Sequence, residues 1–195
     1  KKKEERREKK RRGEKEKKKG KKKGKFIKKI RDELSSKEHT RRVAGIINDG
    51  FGEDALEVKA GPDCKVIETT GVNDINSKEN VEKIRALAPD VIAVCGTSIL
   101  KKDILSIPEK GVLNLHGGLS QKYRGVWTTL WAVYNGTLEH IGATVHYVAP
   151  GIDDGEIIHQ GRPSIVEEDN HETIYVKVVK VGVNLMIQSI KEIVN

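Results

Sequence analysis

The run Gly111-Val112-Leu113-Asn114-Leu115-His116-Gly117-Gly118 reads as a buried strand that stops on a glycine pair. Residues two apart on a strand share a face, so Asn114 and His116 look into one space. Upstream, Val91-Ile92-Ala93-Val94-Cys95 is a second apolar run, closed by Gly96, and Lys101 to Ile107 between the two reads as a short helix stopped at Pro108. A strand, a helix and a strand with continuous apolar strands argue a parallel sheet in an α/β layer arrangement. Ligands of such sheets collect beyond the carboxyl ends of the strands, where His116 and Gly96 both fall.

Outward from this unit the pattern continues. Asn80 to Leu87 reads as a helix ending near Pro89, and Trp127 to Tyr134 as a helix closed by Asn135-Gly136. Ile141 to Val148 alternates and is β-branched, so it reads as a strand, with Ile157 to Pro163 as its hairpin partner. Thr173 to Val194 keeps Ile174, Val178, Val181, Leu185, Ile190 and Ile193 on one side, the pattern of a long closing helix. Towards the N-terminus, Phe26, Ile27, Ile30 and Leu34 recur at helical spacing up to Ser35-Ser36. Val43 to Ile47 reads as a short strand before the turn Asn48-Asp49-Gly50, and Lys65 to Glu68 as another. The expected fold is a Rossmann-like α/β domain, a mostly parallel sheet flanked by helices with a late antiparallel hairpin.

Charge divides the chain. Of 37 Lys/Arg and 29 Asp/Glu, residues 1 to 25 hold 17 and 5, a net of +12. The rest carries 20 basic against 24 acidic residues, so the overall +8 belongs to the tail and the body offers no basic surface by composition. Residues 1 to 25 contain no apolar side chain, and read either as a disordered or solvated segment or as a binder of nucleic acid or another polyanion. The expected organisation is this tail over 1–25 and one domain over 26–195. Cys64 and Cys95 follow no disulfide or metal spacing, which fits a reducing, cytoplasmic setting, and Cys95 reads as a buried thiol. No apolar run approaches the roughly 20 residues of a membrane span. Met186 is the only methionine, so the sequence is expected to be a fragment or a processed product.

The chemistry-bearing residues are Asn114, His116 and, in Gly151-Ile152-Asp153-Asp154-Gly155, Asp153. An amide that donates hydrogen bonds, an imidazole that carries a proton and a carboxylate that orients it suit acyl transfer through a tetrahedral intermediate. Each alone has a plainer reading: Asn114 as a turn cap, His116 as a satisfied strand-end histidine, Asp153 as part of a tight turn. His146 alternates within a strand and reads as structural, and His140, His159 and His171 show no paired spacing for zinc.

Several stretches together resemble the folate-dependent formyltransferases, the family of methionyl-tRNA, glycinamide ribonucleotide and sugar-nucleotide formyltransferases. They are Asn114-Leu115-His116, Leu119 to Gly125, Trp131, Tyr134-Asn135-Gly136, Gly142 to Val148 and Gly151 to Gln160. The match is strong over about residues 88–165 and faint over 26–87. The resemblance implies a formyl group passed from 10-formyltetrahydrofolate, as co-substrate, to a primary amine. It implies Asn114, His116 and Asp153 as the catalytic residues, with Asp154 where the family commonly has Thr or Gly. It implies Ser98, Ile99 and Leu100 in one loop of the pteridine site and Val148, Gly151 and Ile152 in the other; both stretches also read as ordinary strand-end loops. Ser120, Tyr123 and Arg124 are expected on the acceptor side, where they hold an anionic substrate or pack the loop.

The sequence departs from the family pattern at three places. Leu119-Ser120-Gln121 lacks the proline that stiffens the family's loop. Lys-rich sequence stands where the family opens on an apolar strand, which leaves unpaired backbone and invites oligomerisation. The chain stops soon after the closing helix, without the second domain of the methionyl-tRNA branch. The Trp127-to-Trp131 helix, with these absences, favours a small amine such as an amino sugar nucleotide as acceptor. The competing readings are a methionyl-tRNA or glycinamide ribonucleotide formyltransferase, a 10-formyltetrahydrofolate hydrolase, and a non-catalytic core with a polyanion-binding tail.

Overall fold

The computed structural model describes residues 24, 25, 27–29, 32, 36–53, 57, 60–71, 73–149 and 152–195. The stretch 1–23 and Phe26, Ile30 and Leu34 lie outside these, and with them most of the expected tail and the first apolar repeat. The chain divides into two units, Lys1–Glu53 and Asp54–Asn195.

In the first unit, helix α1 spans Lys37–Phe51. Ser36 caps it, its hydroxyl accepting from the His39 N–H at 3.0 Å, and Gly52 ends it at φ 99°, a left-handed conformation that glycine adopts freely. The expected strand Val43 to Ile47 is therefore helical. Val43, Ile46 and Ile47 stand three and four apart, which a five-residue apolar window cannot tell from a strand; the cap decides.

The second unit is built on a four-stranded sheet in the order β1 (Ile92–Cys95), β2 (Val112–His116), β3 (Ala143–Tyr147) and β4 (Ile157–Gly161). β1 and β2 are parallel, joined by the short helix α3 (Lys102–Leu105). β2–β3 and β3–β4 are antiparallel, the second pair being the late hairpin. Helix α2 (Lys78–Ala86) precedes β1, α4 (Thr128–Asn135) lies between β2 and β3, and α5 (His171–Val194) closes the unit.

The two sheet faces differ in chemistry. One carries Leu113, Leu115, Ala143 and Val145 and receives α5 through Ile174, Val178 and Met186. A Cβ at Gly182 of α5 would lie 2.5 Å from Leu115 Cδ1, so glycine is what lets the helix approach. α5 is long and apolar enough by composition to cross a membrane, contrary to the expectation that no such stretch exists. Here its apolar face packs on the sheet. The opposite face carries Val112 in a cluster with Val81, Leu100 and Ile104 from α2, α3 and the loop after β1, and beyond it the polar side chains of the site.

Two strand expectations are corrected. β1 is the edge of the sheet among the described residues, so Ala93 and Cys95 are exposed and Cys95 is not a buried thiol. Continuous hydrophobicity cannot report which strand lies at an edge. Lys65 to Glu68 forms no strand, because no described strand pairs with it.

Candidate active site

The register of β2 against β3 builds the site floor. Asn114 stands opposite His146 and His116 opposite Thr144, so alternation puts four polar side chains on one face of two adjacent strands. Asp153 comes from the connection between β3 and β4. Its backbone sits at φ 47°, a left-handed conformation that the short Asp side chain tolerates. Gly155 makes this return possible, since a Cβ there would overlap the Tyr147 carbonyl oxygen.

The three expected catalytic residues meet. His116 Nδ1 lies 3.3 Å from Asp153 Oδ2, and Asn114 Nδ2 donates to Asp153 Oδ1 at 3.3 Å. His116 Nε2 faces the Tyr123 carbonyl oxygen at 2.8 Å. Both ring nitrogens thus look at oxygens that only accept. The Gly125 N–H donates to Asp153 Oδ2 at 2.7 Å and holds the carboxylate from the other side. His116 is 6% exposed and the Asp153 side chain 14%, so these contacts act with little competition from water.

The loop after β2 is pinned although it lacks proline. Thr144 Oγ1 donates to the Gly118 carbonyl at 2.6 Å, and accepts from the Ser120 N–H at 3.2 Å and from Gln160 Nε2 at 3.0 Å. A buried hydroxyl with one donor and two acceptor bonds does what a stiff residue does elsewhere. Gly118 is required there, because a Cβ would lie 2.8 Å from His116 Nε2 and 2.9 Å from Thr128 Cβ.

The family model for formyl transferases matches residues 20–190. The chain belongs to the formyl transferase family. Methionyl-tRNA formyltransferase of Methylacidiphilum infernorum is 37% identical over 121 residues, 62% of this chain and 38% of the relative. The chain thus spans about two fifths of the length of such curated relatives. Among solved structures, phosphoribosylglycinamide formyltransferase from Brucella melitensis superposes with a TM-score of 0.52 at 28% identity, covering 62% of this chain and 64% of that one. A 4-N formyltransferase from Francisella tularensis gives 0.52 at 28% identity, covering 60% and 47%.

The other expected site residues fall in two groups. Leu100 is buried and Val148 packs against the same cluster, which ties the two expected pteridine loops to one place. Asn76 holds the first loop, donating to the Ile99 carbonyl at 2.9 Å and accepting from the Lys101 N–H at 2.7 Å. Ile99 and Ile152 remain 78% and 67% exposed, and Ser98 is half-buried. Gly151 lies outside the described residues. On the expected acceptor side, Ser120 is buried, and the Tyr123 hydroxyl bonds Thr137 at 2.7 Å and Asn135 at 2.9 Å. Arg124 pairs with Asp154 at 2.6 Å and donates from Nε to the Ser120 carbonyl.

Sequence reasoning missed His146, Thr144, the Gly125 N–H and the Tyr123 carbonyl. His146 is 2% exposed, and its Nε2 lies 3.1 Å from Asn114 Nδ2. A signal was present: Thr144 and His146 are two polar residues at alternate positions of an otherwise apolar strand.

Proposed function

We propose that this chain carries out formyl transfer from 10-formyltetrahydrofolate to a primary amine. The observation that carries this reading is the convergence of Asn114, His116 and Asp153 on contacts of 3.3 Å. The described residues fit the donor: Ile99 and Ile152 expose apolar side chains from loops anchored in one cluster through Leu100 and Val148, a surface suited to an apolar ring. Ser98 belongs to the first of these loops, and Gly151 stands next to Ile152 in the sequence. 10-Formyltetrahydrofolate, when bound, supplies the formyl carbon.

The chain's residues then divide the work. In the reaction a bond forms from the amine nitrogen to the formyl carbon, and the bond from that carbon to the donor nitrogen breaks. The amine loses one proton and the departing nitrogen gains one. Asn114 offers a side-chain hydrogen to the carbonyl oxygen as it gathers charge. His116, held between the Tyr123 carbonyl oxygen and the Asp153 carboxylate, supplies a proton. Asp153 orients the imidazole and balances its charge. Ser120, Tyr123 and Arg124 shape the acceptor side.

Similarity to the curated relatives supports methionyl-tRNA as the acceptor. The Trp127-to-Trp131 segment and the likeness to the 4-N formyltransferase support the second arm, a small amine such as an amino sugar nucleotide. The two free, exposed cysteines fit a reducing, cytoplasmic setting. The polybasic residues 1–25 are the segment suited to contact nucleic acid, and the edge of β1, unpaired among the described residues, the one suited to self-association.

Incubation with 10-formyltetrahydrofolate and a panel of methionyl-tRNA, glycinamide ribonucleotide and UDP-linked amino sugars tests this. A formylated amine is expected. Formate release without an amine product would replace transfer by hydrolysis, and donor binding with neither product would leave a non-catalytic core.

A further inference from the structure

We infer that His146 is a positioning residue that fixes the amide of Asn114 for the reaction. Its two ring nitrogens have different partners. Nδ1 lies 2.8 Å from the Tyr147 carbonyl oxygen, which only accepts, so Nδ1 carries the hydrogen. Nε2 lies 3.1 Å from Asn114 Nδ2, which only donates, so Nε2 presents its lone pair. These two part-buried partners therefore select the Nδ1–H tautomer.

The consequence falls on Asn114. Its Nδ2 carries two hydrogens, one on His146 and one on Asp153 Oδ1 at 3.3 Å. The amide is planar, so holding one hydrogen sets the direction of the other. Exchanging Oδ1 and Nδ2 would turn a carbonyl oxygen towards both the carboxylate and the lone pair of Nε2, so the orientation is defined on both sides. The Asp153 contact is the longer of the two, and Asp153 keeps the Gly125 N–H at 2.7 Å and His116 Nδ1 at 3.3 Å when it is given up. The hydrogen on Asp153 is thus the one released to the carbonyl oxygen, while the hydrogen on His146 stays in place. His146 Nε2 also sits 3.6 Å from Asp153 Oδ1, beyond hydrogen-bond reach, and its ring meets that of His116 edge-on at 6.5 Å between centroids. It touches no reacting atom and acts through Asn114. This role rests on the formyl-transfer reading, whereas the hydrogen bond itself does not.

Two measurements on the full chain test it. The first is ¹⁵N NMR of the unliganded protein at neutral pH. The expected result is a His146 ring protonated at Nδ1 alone, with a through-hydrogen-bond coupling between Asn114 Nδ2 and His146 Nε2. A ring carrying hydrogen on Nε2 would overturn the inference whatever the activity. The second compares His146→Phe, which removes the acceptor, with His146→Gln, whose Oε1 can accept in its place. The phenylalanine variant should lose about tenfold or more in kcat, with the KM of donor and acceptor within about twofold, and glutamine should restore most of that loss. Equal losses in both variants, or a loss confined to KM, would overturn the positioning role. If the phenylalanine variant fails to fold, the NMR result on the native chain decides. Absent turnover in the native chain, with the tautomer and coupling as expected, would count against formyl transfer and leave the hydrogen bond standing.

Discussion

Asp153 gathers Gly125, His116 and Asn114 onto two oxygens, with Gly125 and Asn114 donating hydrogen bonds and the His116 ring 3.3 Å away. Asp153→Asn would place N–H against N–H on at least one side and remove the charge that balances the imidazole. We expect kcat to fall by about 10²–10⁴-fold. Asp154→Asn removes an ion pair with Arg124 between side chains 54% and 47% exposed, a contact worth about 0.2–1 kcal/mol, so the rate should change little. Formyl-transfer rates of the two variants check this; equal losses would put the acid one residue away. Gly155 is the second decisive residue. Gly155→Ala drives a methyl group into the Tyr147 carbonyl, and the connection must move away with Asp153 on it. A displacement of about 1 Å in a reacting group costs on the order of 10²-fold. The variant should show that loss in kcat with a lowered melting temperature. An unchanged kcat would show that Asp153 reaches the site by another path.

At the scale of elements, α5 seals the apolar face of the sheet, and its first turn is fastened by a local network. Asn170 caps it, accepting from the Glu172 and Thr173 N–H groups at 2.9 and 3.0 Å. Asp169, just before it, accepts from Lys177 Nζ at 2.6 Å, from the Val166 N–H at 2.9 Å and from the Thr173 hydroxyl at 2.9 Å. The Lys177 hydrogen bond first, then that from Val166, hold the Asp169 carboxyl below the usual carboxylate range. A folded-state pKa below the unfolded one means stability present above the unfolded value of about 4 and lost as pH falls through the folded value. Asp169→Asn should therefore melt below the native chain at pH 7, with the gap closing below about pH 4. Melting temperatures of both proteins across that range are the check, and a gap independent of pH would remove the electrostatic account. This element was legible in advance: Ile174, Val178 and Val181 at helical spacing mark the buried stripe of an amphipathic helix. α1 was not, because Val43 to Ile47 taken alone fits either period and the Ser36 cap lies seven residues upstream of it.

For the molecule as a whole, charge and catalytic chemistry lie in different stretches of the chain. Residues 1–25 carry a net of +12 and the remainder a net of −4. Deleting 1–25 should abolish binding to heparin or RNA and leave the circular dichroism of the remaining helices and sheet unchanged, because the deleted stretch holds no apolar side chain. Polyanion affinity that survives with the same salt dependence would place the basic surface on the body. The order of elements from α2 onward, the parallel β1–β2 pair and the late hairpin were determined by the sequence alone, which also put Asn114, His116 and Asp153 forward as one expected set. Each depends on local periodicity, on turn residues or on a motif that local reading resolves. Tertiary structure alone decided that β1 stands at the edge of the sheet among the described residues, with Cys95 exposed. It also decided that Thr144 replaces a proline in stiffening the loop, and that His146 belongs with Asn114. These three depend on which strand lies beside which and in what register. The pairing of β2 with β3 joins residues 28 (His116 and Thr144) to 34 (Leu113 and Tyr147) apart in sequence, so no local pattern of residues contains it.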